Sequence, residues 1–228
     1  RRRPAWFHTS LEILVQTPLD GIKCRIVNNP RLTQGTINIT EWGIESRNPD
    51  RYAYQVMNYI LGGGGFSSRL MNVVRTKEGK TYGIGSSVDP HPEFGIFSIY
   101  TFTRNAEVAN TCRSAVNVLQ DFMDNGAPDE EVSKAKAYYL GNIPLRLESP
   151  LAAAQLILEG IYNGMTIDEV SQGIVKISKV TKEDVNAAAK KYLNSKSFIL
   201  TIAGNASELR DQLKPFTFFD EVDYKSDN

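Results

Sequence analysis

The sequence predicts an α+β domain: one mostly antiparallel β-sheet with helices packed on it. Strand-like segments come in two pairs in the first half of the chain. Helical periodicities then fill most of the remainder, and one late strand-like segment has to return to the sheet. The chain's 228 residues, 41% of them hydrophobic, suffice for one domain with a substantial core.

The chain opens "RRRPAWFHTS", with no apolar run behind the charges such as a signal peptide needs. Residues 1–20 therefore read as a linker or the cut edge of a longer chain, residues 21–205 as the domain, and residues 206–228 as a C-terminal tail. "IKCRIVNNP" and "QGTINITEWGI" read as two strands with a turn at Asn28, Asn29 and Pro30. In the second, Ile37, Ile39 and Glu41 alternate with Thr36, Asn38 and Thr40. "NPDRYAYQVMNYIL" reads as a helix, with Pro49 in its first turn and Ala53, Val56, Met57, Ile60 and Leu61 on one face. "SSRLMNVVRTKEG" reads as a second helix, capped by Ser67 or Ser68, facing inward with Leu70, Met71 and Val74, and ended by Gly79. "KTYGIGSSV" and "FGIFSIYTFT" make a strand pair around "DPHPE".

Helices follow. "AEVANTCRSAVNVLQDFMDNG" carries a stripe of Val108, Cys112, Ala115, Leu119 and Phe122, and stops at Gly126. "PDEEVSKAKAYYLGNIPLRL" places acids in its first turn, where the helix dipole favours them. "SPLAAAQLILEGIYNG" and "TIDEVSQGIVKI" are two more. Thr181 and Asp184 form a near capping box before a further helix, and "SFILTIAG" is the late strand.

Several function classes are excluded. With 26 basic and 26 acidic residues, the chain lacks the basic excess of a nucleic-acid binder. No apolar run approaches the length that spans a bilayer. Cys24 and Cys112 have no metal-type spacing and read first as buried free thiols, with a disulfide as the alternative. His8 and His91 are the only histidines and form no i, i+4 pair that could grip zinc. There is no nucleophile elbow. Asp129, Glu130 and Glu131 read as helix-start residues, not as an acid/base pair.

The run Gly62, Gly63, Gly64, Gly65 is the local anomaly. A Walker loop would require a lysine that Phe66-Ser67-Ser68 do not supply, and a dinucleotide fingerprint would require a preceding strand where a helix stands. The local reading is a tight link between two helices, in which Gly62 ends the first in the left-handed conformation and the others let the chain reverse. The other reading is close approach of bare backbone to a ligand.

The stretch "DRYAYQVMNYILGGGGFSSRLMNVVRTKEGKTYGIGSSV" resembles the pitrilysin-like zinc peptidases, which include insulysin and the mitochondrial processing peptidases. It is similar to their second, non-zinc half, where a helix ends in N-x-x-L-G-G-G, continues into S-S-R-L and then R-E-x-x-G-x-x-Y. The matching residues are Asn58, Leu61 to Gly64, Ser67 to Leu70, Arg75, Gly79 and Tyr82. The resemblance is dense from about residue 32 to 105 and looser to about 205.

The family's H-x-x-E-H zinc motif is absent. The resemblance thus implies a chain with no metal or catalytic residue of its own, inert alone, that closes over a peptide held by a zinc-bearing H-x-x-E-H half. That half would be part of the same parent chain or a separate subunit. In the family an arginine and a tyrosine seven residues apart reach across to the substrate backbone or the tetrahedral intermediate; Arg75 and Tyr82 match them. Taken locally, Arg75 is a helix-end cation and Tyr82 a strand aromatic. Other relatives are non-catalytic core subunits of a respiratory complex, so a structural or assembly role stands as the rival, and a peptide-binding domain using a sheet edge as a third reading. The compartment is not given by the residues; the export of many bacterial relatives points to the periplasm.

Overall fold

A computed structural model describes residues 19–146, 148–216 and 218–224. The expected linker thus lies almost wholly outside the described residues. Six strands form one sheet in the order β3-β4-β2-β5-β1-β6. They are β1 (Ile22–Asn28), β2 (Gln34–Trp42), β3 (Ile84–Pro90), β4 (Gly95–Arg104), β5 (Phe198–Gly204) and β6 (Phe218–Asp223). Pairings β3/β4, β4/β2 and β2/β5 are antiparallel, whereas β1 runs parallel to both β5 and β6, so the sheet is mixed. The turn at Asn28, Asn29 and Pro30 joins strands that do not pair. It hooks over the end of β5, where Asn29 N–H donates to the Gly204 carbonyl at 2.9 Å.

Alternation decides the faces of the sheet. In β2, Ile37, Ile39 and Glu41 are buried while Thr36, Asn38 and Thr40 are only half-buried. Cys24, Ile26, Phe97, Ile99, Leu200 and Ile202 complete the buried face. Against it pack α1 (Arg51–Asn58), α2 (Val108–Asn125), α7 (Lys182–Tyr192) and α8 (Ala206–Leu213). The expected stripe on α2 is wholly buried, and so is the predicted face of α1. The Thr181–Asp184 capping box is present, Asp184 N–H donating to Thr181 Oγ1 at 3.1 Å and Thr181 N–H to Asp184 Oδ2 at 2.9 Å. Cys24 and Cys112 are free and buried. Burial pushes the Cys24 thiol up to about 11, and burial with the neighbouring Cys24 pushes Cys112 higher still, so neither is a ready nucleophile.

The segment from residue 206 is not a tail. Helix α8 buries Ala206, Leu209 and Leu213, and β6 extends the sheet beside β1. The sequence obscures this because β6 reads "FFDEVD", and its acids look solvated. In the fold Arg25 Nε donates to Asp220 at 2.8 Å and Arg210 Nη2 reaches Glu221 at 2.7 Å.

Three further helices, α4 (Pro150–Tyr162), α5 (Ile167–Ser171) and α6 (Gly173–Lys179), follow the long α3 (Asp129–Arg146). The single helix expected over "TIDEVSQGIVKI" is split in two at Gln172. Ser149 and Thr166 cap α4 and α5, Thr166 in a capping box with Glu169. Among the described residues no helix is long and apolar enough to cross a membrane.

Candidate functional site

The candidate site is built from residue 58 onward. Helix α1 does not stop before the glycines; it widens into a π-helical turn, Tyr59–Gly63. The widening seats Gly62 against the edge strand β3. A Cβ on Gly62 would lie 2.4 Å from the Ser86 backbone nitrogen and 2.8 Å from Leu70 Cδ1. Gly62 is therefore a close-approach glycine, and the expected left-handed conformation falls instead to Gly65, with φ +57. Locally the four glycines are interchangeable; the contact with β3 decides which takes which part. A Cβ on Gly63 or Gly64 would crowd the preceding turn, at Asn58 and Tyr59 respectively.

Beyond Gly65 two serines lock the reversal. Ser67 Oγ donates to the Gly64 carbonyl at 2.8 Å and Ser68 Oγ to the Gly65 carbonyl at 2.7 Å. The same two carbonyls also accept the Ser67 and Ser68 backbone N–H groups, at 3.3 and 3.0 Å, so each serine holds its glycine twice. Leu70 and Val74 are fully buried, as expected, and Gly79, with φ +62, ends the helix over Met71–Lys77. Arg69, the arginine of "SSRL", is structural. Its Nη2 reaches Glu131 and the Gly126 carbonyl, each at 2.7 Å, and its guanidinium lies 4.6 Å from the Phe122 ring centroid. Asp129 and Glu130 are likewise engaged, with Lys182 at 2.9 Å and Lys134 at 2.6 Å, as helix-start residues.

Arg75 sits in the last turn of this helix. Its side chain meets an aromatic: the guanidinium lies 4.6 Å from the Phe66 ring centroid. Among the described residues no carboxylate pairs with it, and the nearby acid Glu78 is taken by Lys80 at 2.7 Å. Tyr82 does not begin a strand, as the sequence suggested; β3 starts at Ile84. Its loop is nevertheless tied down from β4. Thr103 Oγ1 donates to the Lys80 carbonyl at 2.5 Å, Thr101 Oγ1 to the Gly83 carbonyl at 2.9 Å, and Thr81 Oγ1 to the Phe102 carbonyl at 2.7 Å. Met71 Sδ accepts from Ile84 N–H at 3.4 Å. The Tyr82 ring projects from this pinned loop with 79% of its surface exposed. No hydrogen bond joins Arg75 and Tyr82 among the described residues; the two flank one reversal, each held from behind.

Among the described residues no group of three or more His, Cys, Asp or Glu could hold a metal ion. His91 is stacked on Phe94, ring centroids 4.5 Å apart, and lies 3.3 Å from Asp89; His8 falls outside the described residues. A model of the peptidase M16 inactive domain matches residues 11–139, more than half of the chain. The chain belongs to that family. An uncharacterized zinc protease of Streptomyces coelicolor is 28% identical over 176 residues, covering 74% of this chain and 38% of the relative. A non-peptidase homolog of Helicobacter pylori is 24% identical over 151 residues, 66% of this chain and 35% of the relative. The crystal structure of a peptidase M16 inactive domain from Pseudomonas fluorescens superposes with a TM-score of 0.76 at 27% identity, covering 84% of this chain and 45% of that one. This M16 inactive domain therefore spans less than half the length of these relatives.

Sequence reasoning gave no role to two residues, Phe66 and Glu41. Phe66 was legible only as part of the glycine motif, not as the partner of Arg75 nine residues away across a turn. Glu41 was legible, since the alternation of β2 places it on the buried side. It is 6% exposed, its Oε2 accepts from Asn194 N–H at 2.9 Å, and its Oε1 has no protein partner. Burial raises its pKa to about 8.

Proposed function

We propose that this chain is the substrate-binding, non-zinc half of an M16 zinc peptidase, closing over a peptide held by a zinc-bearing H-x-x-E-H half. Zinc, and the base that activates its water, belong to that half. This chain contributes Arg75 and Tyr82. A guanidinium with no counter-charge among the described residues and a phenol on a pinned loop are both donors, suited to a carbonyl oxygen that gains negative charge as a tetrahedral intermediate forms. The observation that carries the reading is the placement of Tyr82: three threonine hydroxyls immobilise its loop, yet its own ring is left in solvent. A tyrosine needed for packing would be buried. The pinned geometry supplies preorganisation before any partner arrives.

The test is turnover of a fluorogenic peptide by this chain combined with its zinc-bearing half. Loss of one such donor typically costs about 10²- to 10³-fold in kcat. Arg75→Ala and Tyr82→Phe are expected to slow turnover by that order while melting stays within about 2 °C, neither side chain supporting the core. Full activity in both variants removes the assignment. The second reading, a non-catalytic assembly subunit, is favoured by the likeness to the non-peptidase homolog of Helicobacter pylori. Under it the combined halves cleave nothing, and the Arg75 and Tyr82 variants still assemble with the partner.

A further inference from the structure

Resting on that reading, we infer that Phe66 is a positioning residue for Arg75: its ring holds the guanidinium in place without consuming a donor or neutralising the charge. An arginine in the last turn of a helix is long, rotamer-rich and costly to order. The usual restraint is a carboxylate, as Glu131 restrains Arg69 in the same helix. A carboxylate would occupy two of the N–H donors and cancel the field that a developing oxyanion needs. An aromatic face restrains the same group through its quadrupole and leaves all five N–H groups free in the guanidinium plane.

The geometry fits this role and little else. Phe66 is 73% exposed, so the core does not need it. Its backbone sits in the turn Gly65–Ser67, entered through Gly65 at φ +57 and closed by the hydroxyls of Ser67 and Ser68. The turn therefore fixes the point from which the ring projects. Its recorded partner is Arg75, at 4.6 Å. The glycine run and the double serine thus place one aromatic face beneath one cation. Arg69 and Arg75 lie six residues apart and both stack on a phenylalanine. Arg69 is also clamped by Glu131 and Gly126, whereas among the described residues no carboxylate or carbonyl holds the Arg75 guanidinium.

Two measurements test this, one on the assembled peptidase and one on the chain alone. Phe66→Leu keeps apolar bulk and removes the ring face; Phe66→Tyr keeps both. In the assembly, Phe66→Leu is expected to lower kcat about 2- to 5-fold, the scale of an exposed cation–π contact, with KM and melting temperature unchanged and activity kept in Phe66→Tyr. In an Arg75→Ala background, Phe66→Leu should have no further effect. In the chain alone, the Arg75 Nε–Hε signal should be displaced by the ring current in the wild type and return to the free-arginine position in Phe66→Leu. Wild-type activity in Phe66→Leu, with Arg75→Ala impaired, overturns the inference and leaves the Arg75 assignment standing. Full activity in Arg75→Ala removes the assignment and this inference with it. A wild-type Arg75 signal already at the free-arginine position overturns the inference whatever the assay gives.

Discussion

The stretch from Gly62 to Ile84 and the helices α4 to α6 treat apolar side chains in opposite ways. In the first, Leu70, Met71, Val74 and Ile84 are buried, carbonyls are capped by serine and threonine hydroxyls, and the aromatics left in solvent are held by a fixed backbone. In the second, α4 is apolar nearly all round, yet among its residues Gly160 alone is buried, and Leu151, Leu158 and Tyr162 lie in solvent. On its inner side Leu156 and Ile157, with Tyr52, Tyr54 and Ile174 across from them, line a cavity of about 540 Å³. The difference tracks the sequence resemblance, which is dense over the first region and loose over the second. On the proposed reading, the surface that meets another molecule in one geometry is built on over-determined backbone; a loosely filled layer tolerates substitution.

Matched substitutions can break that comparison. The largest effect is expected from Leu70→Ala, which empties a fully buried site and should cost about 3 kcal/mol in chemical denaturation. A loss under about 1 kcal/mol would mean that the first region is no better packed than the second. Gly62→Val comes next. Its side chain would be forced into the Ser86 backbone and Leu70, with an expected cost of about 1–3 kcal/mol. An unchanged melting temperature would show that the π-turn can slide away from β3.

Glu41 of β2 supplies a pH-dependent difference, its charge felt by Tyr54, which lines the cavity. Its folded-state pKa of about 8 lies above the usual carboxylate range, so between about pH 5 and 8 the folded chain keeps a proton that the unfolded chain releases. That contribution to stability is present at low pH and lost as pH rises through this window. Glu41→Gln keeps the acceptor for Asn194 N–H and cannot ionise. It should be more stable than wild type at pH 8, with the advantage vanishing near pH 5. Parallel stability curves for the two proteins across that window would place the Glu41 carboxyl in solvent. The smallest effect is expected from Leu158→Ala on the outer face of α4, 64% exposed: within about 0.5 kcal/mol. A loss comparable to that of Leu70→Ala would erase the contrast.

Much of this was legible in the residues. The apolar stripes of α1 and α2, the stop at Gly79 and the Thr181–Asp184 box are each decided within a turn or two of chain, by periodicity, by φ and by short-range hydrogen bonds. What escaped depends on distant partners. The choice of Gly65 over Gly62 as the left-handed residue is made by Ser86, more than twenty residues on. β6 looked like an acidic tail because Arg25, which offsets Asp220, lies at the other end of the chain. Tyr82 looked like a strand residue because the threonines that hold its loop outside the strand belong to β4.

The order of the sheet also governs when the protein can exist. β5, residues 198–204, lies between β1 and β2, which are finished before residue 43. On the ribosome the first two strands therefore wait, unpaired with each other, for a centre strand made about 160 residues later. At roughly 5–20 residues per second that interval is about 10–30 seconds. Throughout it, Ile26, Ile37 and Ile39 have no completed sheet to enter, and their backbones present open edges to any neighbouring chain. Closing so long a loop also slows the search for the native pairing once the last strand has been made.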